Sequence, residues 1–191
     1  MSGSSRRSAG RSPRPPSRQK SWGWHRLSDS WAARIVSLAD VRPGELVLDI
    51  GAGDGALTAH LTTAGAHVIA FELHPGRCQA LRNRFVDRPV TVVNVDAARL
   101  RLPKRSFRVV ASPPFAVSSA LLRQLLSRGS RMESADLVLQ RAVAQRFVDG
   151  RVPGANRWGR EFVLHRGLAV PRSAFRPSPK VDSMVLVIRR R

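Results

Sequence analysis

An acid followed by a glycine-rich turn is the first feature of the sequence that could bind a ligand. Asp49 lies in an apolar run, and the loop after it contains Gly51, Gly53 and Gly55. Glycines permit a sharp turn and the close approach of a ligand. With Ala56 in the final position, the same loop also satisfies a dinucleotide fingerprint. A carboxylate at Asp49 would repel a pyrophosphate and attract a cationic amine, so the loop predicts an amine-bearing, nucleotide-type cofactor.

Two more acids follow the next two apolar runs. Glu72 ends the second run, 23 residues after Asp49, and Asp96 follows the third. A carboxylate at the end of the second strand of such a sheet accepts hydrogen bonds from ribose hydroxyls. Asp96 is placed to accept one from an adenine amino group. We therefore expect all three acids to meet at the carboxyl edge of one sheet, where α/β proteins bind ligands.

A fourth apolar run ends in Ser112, Pro113, Pro114 and Phe115. Two successive prolines hold backbone carbonyls in fixed positions. Phe115 offers a face on which a nucleobase could stack, which is worth about 1–3 kcal/mol. The same four residues also fit a stiff loop without function. Their position directly after a predicted strand favours a binding role.

These residues must be positioned by alternating strands and helices. We predict strands over residues 46–50, 68–72, 90–95, 108–111 and 137–140. Helices are predicted over 56–64, 75–84 and 117–126, after a first helix capped by Ser28, Asp29 or Ser30. Because the strands are apolar along their whole length, we expect a parallel sheet buried on both faces. Segments 162–170 and 184–188 resemble an antiparallel pair.

The composition indicates one basic domain. The 191 residues include 33 Lys and Arg against 13 Asp and Glu, a net charge of +20, which favours a polyanionic partner. Residues 1–20 are basic, contain no acid and are poor in apolar side chains. We expect them to form a disordered arm before a domain at 21–191. Nucleic acid is favoured over a membrane, because no amphipathic anchor helix accompanies the charge.

Other features of the composition exclude some classes of protein. The chain has no apolar run long enough for a membrane helix and no secretory leader, so we expect a cytoplasmic protein. Cys78 is the single cysteine, which rules out a disulfide within the chain and leaves no sign of a metal site.

The strand-end residues resemble those of class I S-adenosylmethionine-dependent methyltransferases. The resemblance implies that S-adenosylmethionine is the cofactor. It also implies roles for the matching residues: the glycine loop with Asp49 would hold the methionine part, Glu72 the ribose and Asp96 the adenine. The fold that it implies is a Rossmann-like α/β domain, which we expect to contain a seven-stranded mixed sheet with helices on both faces.

The residues after the fourth strand look like the motif of methyltransferases that modify exocyclic amines of bases. On this resemblance, Ser112 would bind the target amine through its hydroxyl and Pro113 through its carbonyl, while Phe115 stacks on the base. Ser112 is expected to contact the cofactor as well. Catalysis would come from proximity and oriented dipoles without a strong base. The target base must be flipped or looped out.

Two later stretches, 137–147 and 171–183, resemble motifs of the ribosomal RNA adenine-N6 methyltransferases. The resemblance extends from Trp22 to Arg191 and is closest to the Erm enzymes. That family methylates one adenine in the peptidyl transferase loop of 23S rRNA and confers resistance to macrolides, lincosamides and streptogramin B. We therefore expect 23S rRNA as the partner and a monomeric enzyme.

The sequence departs from the family at three places. Ser112 stands where the family usually has Asn, so activity is expected to be weaker or to stop at one methyl. Segment 22–27 replaces a Gln-Asn-Phe-Leu motif, which makes His25 and Leu27 the nearest candidates for cofactor contacts. The family's small helical domain is not expected here, since the sequence ends three residues after the last predicted strand. RNA contacts are then expected from residues 1–20 and from a later set, Arg151, Arg157, Trp158 and Arg160.

Three alternatives remain open at this point. A 16S rRNA dimethyladenosine transferase shares most motifs but typically carries Leu in place of Pro113. A DNA amino-methyltransferase accepts the motif of Ser112 to Phe115. A basic RNA-binding protein that lost catalysis through Ser112 would keep the fold.

Overall fold

The computed structural model describes residues 25–191 of the chain, and a seven-stranded sheet forms its centre. The strands follow in chain order: β1 (Arg26–Leu27), β2 (Leu46–Ile50), β3 (His67–Glu72), β4 (Val90–Asn94), β5 (Phe107–Ala111), β6 (Met132–Gln140), β7 (Phe162–Val170), β8 (Phe175–Arg176) and β9 (Ser183–Arg190). The helices are α1 (Asp29–Ala39), α2 (Ala56–Thr63), α3 (Pro75–Arg84), α4 (Ser118–Leu125), α5 (Arg141–Val148) and α6 (Ala155–Trp158).

The large sheet has the order β4-β3-β2-β5-β6-β9-β7. Strands β4, β3, β2, β5 and β6 are parallel, whereas β9 pairs antiparallel with both β6 and β7. The chain builds outward from β2 to β4, then crosses back to β5. The strand order therefore reverses between β2 and β5, which is where open α/β sheets form a ligand crevice.

Alternate side chains of the central strands face two separate cores. Leu48 of β2 packs with α4 and α5 on one face, while Val47 packs with α1 and α2 on the other. A smaller cluster joins Leu81 of α3 to Ala70 of β3. Because strands buried on both faces must be apolar throughout, the continuous apolar runs of the sequence are accounted for. The predicted mixed sheet with helices on both faces is confirmed.

The predicted boundaries differ from the observed ones mainly at strand ends. The fifth predicted strand, 137–140, is the end of the longer β6. The expected antiparallel pair is β7 and β9. Ser28 takes the position before α1, but its side chain makes no capping hydrogen bond. The predicted basic arm, 1–20, and its continuation to residue 24 lie outside the described residues.

A two-stranded sheet that the sequence did not predict holds the start of the described chain. β1 pairs antiparallel with β8, with Leu27 opposite Phe175, and the Ser28 amide donates to the carbonyl oxygen of Ala174 at 2.8 Å. Leu27 and Phe175 are both buried. The pairing fixes the residues at the beginning of β1 above the carboxyl ends of the central strands.

Arg108 joins the loop before β2 to the middle of the sheet. From β5, its guanidinium donates to Glu45 at 2.7 Å, to the Ser134 hydroxyl at 2.8 Å and to the Asp40 carbonyl at 2.8 Å, with a further bond to the Ala39 carbonyl. These bonds satisfy carbonyl groups at the end of α1, where helices leave acceptors without partners.

We expect Arg108→Met to lower the free energy of unfolding by about 2–4 kcal/mol, because it keeps the apolar stem but leaves partly buried acceptors without a donor. Urea denaturation followed by circular dichroism measures the change. Arg128→Met, on an exposed arginine, is the matched control and should stay within about 0.5 kcal/mol of wild type. Equal losses in the two variants would contradict the role of Arg108.

Candidate active site

The loops after β2 and β5 touch each other at the switch point of the sheet. Gly51 has a φ of 80°, and a Cβ atom added there would lie 2.9 Å from Pro114 Cδ and 3.3 Å from Pro113 Cα. Both the backbone conformation and the lack of space require glycine. This contact sets the glycine loop directly against the segment that follows β5.

A cavity opens at this contact, and we call it the strand-end cavity. Its walls come from residues 25–27, 51–54, 72–74 and 112–115, together with Phe175 and parts of β2 and α2. The space, counting its open mouth, is about 810 Å³. Asp49 and Glu72 are thus brought into one cavity with Ser112, Pro113 and Phe115, although they are far apart in the sequence.

Asp49 supplies an unpaired acceptor at the floor of the strand-end cavity. Its Oδ2 accepts a 2.6 Å hydrogen bond from the Thr58 hydroxyl, whereas Oδ1 is buried and has no partner within the described part of the chain. Burial raises the pKa of Asp49 to about 7, and nearby carboxylates add to this, while the bond from Thr58 opposes it. A buried carboxylate oxygen without a donor is costly, which fits a site for a cationic ligand group.

Glu72 is held rigidly at the end of β3. Its Oε2 accepts from the Gly53 amide at 2.9 Å and its Oε1 from the His74 amide at 2.8 Å, while Arg77 lies 3.8 Å from Oε1. Each carboxylate oxygen has a second lone pair, so Glu72 can still accept from a ligand hydroxyl. Its position in the wall of the cavity fits the predicted contact with ribose.

Two predicted cofactor residues stand apart from the strand-end cavity. Gly55 has a φ of 83°, and a Cβ atom there would lie 2.7 Å from the Phe85 ring, so this glycine allows the loop to pack against α3. Asp96 is not among the residues that line the cavity, and its Oδ1 accepts from the Ala98 amide at 2.9 Å. The contact of Asp96 with the adenine remains a prediction.

The start of β1 forms one wall of the cavity. The His25 ring lies 5.9 Å from that of Phe115 and 6.5 Å from that of Phe175, measured between centroids. Arg26 forms an ion pair with Asp54 at 2.5 Å, which ties β1 to the glycine loop. His25 and Leu27 therefore lie at the site, and their contact with the cofactor remains a prediction.

Several residues of the site were not predicted. Phe175 lines the cavity together with Phe115, although it lies more than fifty residues away, and its only signal was membership of the stretch 171–183. Thr58 follows the glycine loop by one turn of helix and carried no signal of its own. His74 and Arg77 also line the cavity.

One expected RNA contact is wrong. The Trp158 ring stacks on Phe147, with centroids 5.5 Å apart and 8° between the planes, and it is buried. It therefore belongs to the core beside α5 and cannot stack on a nucleobase without leaving it. Arg151, Arg157 and Arg160 are exposed, as expected of residues that contact phosphates.

The fold and site together define a Rossmann-like, class I S-adenosylmethionine-dependent methyltransferase. Asp49 would hold the cationic methionine end and Glu72 the ribose, and Ser112 begins the part of the wall beyond them. A model of the ribosomal RNA adenine dimethylase family matches residues 18–191. The chain belongs to the ribosomal RNA adenine dimethylase family.

Individual relatives agree with the family assignment. The chain is 36% identical over 185 residues to the ribosomal RNA small subunit methyltransferase A of Thermosynechococcus vestitus, covering 90% of this chain and 69% of the relative. The Pseudomonas putida protein of the same name is 31% identical, with 88% and 67% covered. The chain thus spans about two thirds of the length of these relatives.

Solved structures show the same fold. The 23S rRNA methyltransferase ErmE superimposes with a TM-score of 0.79 at 30% identity, covering 86% of this chain and 69% of ErmE. A dimethyladenosine transferase from Plasmodium falciparum gives 0.75 at 25% identity, covering 86% and 62%.

Residues 25–191 contain neither a membrane-spanning helix nor a cluster of metal ligands. No helix in this range is both long and apolar enough to cross a bilayer. The same residues contain no group of three or more His, Cys, Asp or Glu placed to hold a metal ion.

We expect Asp49→Asn to separate cofactor affinity from stability. Between the ordinary pKa of an aspartate and about 7, Asp49 is protonated in the folded protein and ionised in the unfolded chain. The free energy of unfolding therefore falls as the pH rises through this window. At pH 8 the variant should therefore unfold at higher urea than wild type. Its affinity for S-adenosylmethionine, measured by calorimetry, should fall at least about tenfold. Unchanged affinity would contradict the role of Asp49.

We expect Thr58→Val to weaken cofactor binding most strongly near neutral pH. Removal of the hydroxyl takes away a bond that lowers the Asp49 pKa, so the loss of affinity on acidification should begin at higher pH than in wild type. Calorimetric titrations from pH 6 to 9 would show the two affinities converging at the alkaline end. Thr58→Ser, which keeps the donor, is the control. A pH-independent loss would indicate a packing defect instead.

Proposed function

We propose that the protein transfers a methyl group from S-adenosylmethionine to the N6 amine of an adenine in the peptidyl transferase loop of 23S rRNA. The observation that carries the proposal is that one cavity joins the acids Asp49 of β2 and Glu72 of β3 to the segment Ser112–Phe115 after β5. A cofactor held by the acids and a base held by that segment would meet at the contact between Gly51 and Pro114.

The residues of the site divide the task between two ends of the cavity. Asp49 and Glu72 bind and orient the cofactor, which supplies an electrophilic methyl group when bound. At the other end, the Ser112 hydroxyl and the Pro113 carbonyl accept from the target amine, and Phe115 stacks on the base. The amine of adenine is a weak nucleophile because its lone pair is conjugated with the ring. Alignment by fixed acceptors therefore supplies most of the rate enhancement.

The choice of 23S rRNA is supported by the similarity to ErmE and by Pro113. ErmE has a TM-score of 0.79 and is 30% identical to this chain. Members that modify 16S rRNA typically carry Leu where Pro113 stands. Modification of this loop would confer resistance to macrolides, lincosamides and streptogramin B.

A second candidate, dimethylation of 16S rRNA, is favoured by the curated relatives. Proteins called ribosomal RNA small subunit methyltransferase A are 31–36% identical to this chain over most of its length. Their similarity covers the cofactor half and the base half of the site alike, so the two candidates differ in RNA and not in chemistry.

Labelling of ribosomal RNA separates the candidates. Incubation of the full chain with tritiated S-adenosylmethionine and with each rRNA should give label in 23S rRNA as N6-methylated adenine. Ser112→Ala should lower the rate roughly 5- to 100-fold, since one acceptor for the amine is lost. Ser112→Asn should raise the rate or the proportion of dimethyladenine, because the amide accepts with fixed geometry. Ser127→Ala, at an exposed serine, is the control.

The remaining outcomes each favour another function. Label confined to 16S rRNA would overturn the 23S assignment in favour of the second candidate. Label in duplex DNA alone would indicate a DNA amino-methyltransferase. Cofactor binding without transfer to any nucleic acid would indicate a binding protein. In a drug-sensitive host, expression should raise macrolide resistance only in the first case.

A further inference from the structure

His25 is a chemically active side chain that the methyl transfer described above does not use. It lies at the start of the described chain, beside β1, and shares the strand-end cavity with Ser112 and Pro113. Its ring is tilted by 33° from that of Phe115 and stands edge-on to that of Phe175. The imidazole therefore belongs to the wall against which a base on Phe115 would lie.

The protonation pattern of His25 follows from one hydrogen bond. Nδ1 lies 2.7 Å from the carbonyl oxygen of Pro177. A carbonyl oxygen can only accept, so Nδ1 carries the hydrogen. In the neutral ring Nε2 is then an acceptor with a free lone pair. Within residues 25–191, His25 makes no other polar contact.

The ring is held in place by the two residues that follow it in the sequence. Leu27 is buried opposite Phe175 in the β1–β8 pair, and Arg26 is paired with Asp54. With the Nδ1 bond, these contacts fix the imidazole in relation to the glycine loop and the 3₁₀ turn that begins at Phe115. A side chain held at three points is positioned for a specific contact.

The distance to Phe115 shows how a base would meet His25. Two stacking contacts of about 3.5 Å each would need about 7 Å between the rings, and the centroids are 5.9 Å apart. A purine therefore does not fit between the two rings as they stand, and one held by Ser112 and Pro113 would meet His25 with an edge.

We propose that Nε2 of His25 accepts the proton that the adenine amine loses during methyl transfer. This rests on the proposed function. The amine nitrogen forms a bond to the methyl carbon as the carbon–sulfur bond breaks, and its electrons remain on sulfur, which becomes a neutral thioether. As the nitrogen–carbon bond forms, the amine gives one hydrogen ion to Nε2, and the imidazolium then releases it to water. Charge balances, since the positive sulfonium is replaced by one released proton.

Charged groups of both signs surround the ring. Arginines on β1, β8 and α3 oppose a positive charge there, and carboxylates on β2, β3 and the glycine loop favour it. The titratable and charged groups of this region are Arg26, Asp49, Asp54, Glu72, His74, Arg77 and Arg176. Arg26 pairs with Asp54, and Arg77 lies 3.8 Å from Glu72, so Asp49 is the carboxylate left to stabilise a transient positive charge.

The pH dependence of single-turnover methyl transfer tests the acceptor role. Titration of Asp49 changes the affinity for the cofactor. At saturating S-adenosylmethionine every enzyme molecule has the cofactor bound, so this change does not affect the measured rate. We expect a wild-type rate that falls on acidification, as Nε2 becomes protonated. His25→Gln should lower the plateau about 10- to 100-fold and abolish this acid limb. His25→Phe, which keeps a ring against Phe115 and Phe175, should behave in the same way. His67→Gln, at an exposed histidine of β3, should match wild type.

A second measurement does not depend on turnover. Nitrogen-15 spectra of histidine-labelled protein, with the His25 signals assigned by their loss in His25→Gln, should show a protonated Nδ1 and an unprotonated Nε2 at pH 8. The opposite tautomer would overturn the proposal. So would His25 variants that keep the wild-type acid limb, or that lose only affinity for the cofactor and regain full rate at saturation.

These outcomes are distinct from failure of the proposed function. A wild-type enzyme that labels neither 23S rRNA nor 16S rRNA would overturn the proposed function and the acceptor role together. A wild-type enzyme that labels rRNA, with His25 variants of equal rate at every pH, would overturn the acceptor role alone.

Discussion

The close contact between Gly51 and Pro114 is the constraint on which the site depends. The chain leaves β2 and β5 at neighbouring points of the sheet, and only a residue without Cβ lets the two exits meet. This contact places the acids that fit a cofactor on one side and the residues that fit a target base on the other. A wider separation would place them in separate cavities. Methyl transfer requires both ligands within a bond's reach, so the backbone approach determines the chemistry more directly than any single polar side chain.

Burial of Asp49 is unfavourable for the protein alone and useful once a cationic ligand binds. The carboxylate has one oxygen satisfied by Thr58 and one without a donor, and its raised pKa reflects the cost of removing a charge from water. A cationic group that reaches Oδ1 removes that cost and gains a charge-assisted hydrogen bond of greater strength than a neutral one. The unfavourable burial of the Asp49 carboxylate in the free protein thus contributes to its affinity for a cationic ligand, and strongly perturbed acids are common in ligand sites.

Most of the sheet and the acids at its edge could be predicted from the sequence. Strands buried on both faces appear as continuous apolar runs, and the end of each run marks the residues at the carboxyl edge of the sheet. The β1–β8 pair could not be predicted, since strands of two residues have no periodicity. Phe175 was missed because its place in the cavity wall depends on that pair. Trp158 was misread as an RNA contact: among arginines it looks exposed, but Phe147 offers a stacking partner that only the fold brings near. Asp96 follows β4 as predicted, yet the local turn takes one of its oxygens.

On the proposed function the strand-end cavity would recognise an adenine, and recognition of one RNA would have to come from elsewhere on the molecule. Stacking on Phe115 and acceptors at Ser112 and Pro113 would suit any adenine that can leave its helix. A net charge of +20 would supply contacts with phosphates that do not depend on sequence. Such contacts raise affinity for all RNA alike, so selection falls to the RNA structure that presents an unpaired adenine at low cost. Arg151, Arg157 and Arg160 are exposed beyond α5, and their arrangement can favour one RNA shape over another only through the spacing of its phosphates.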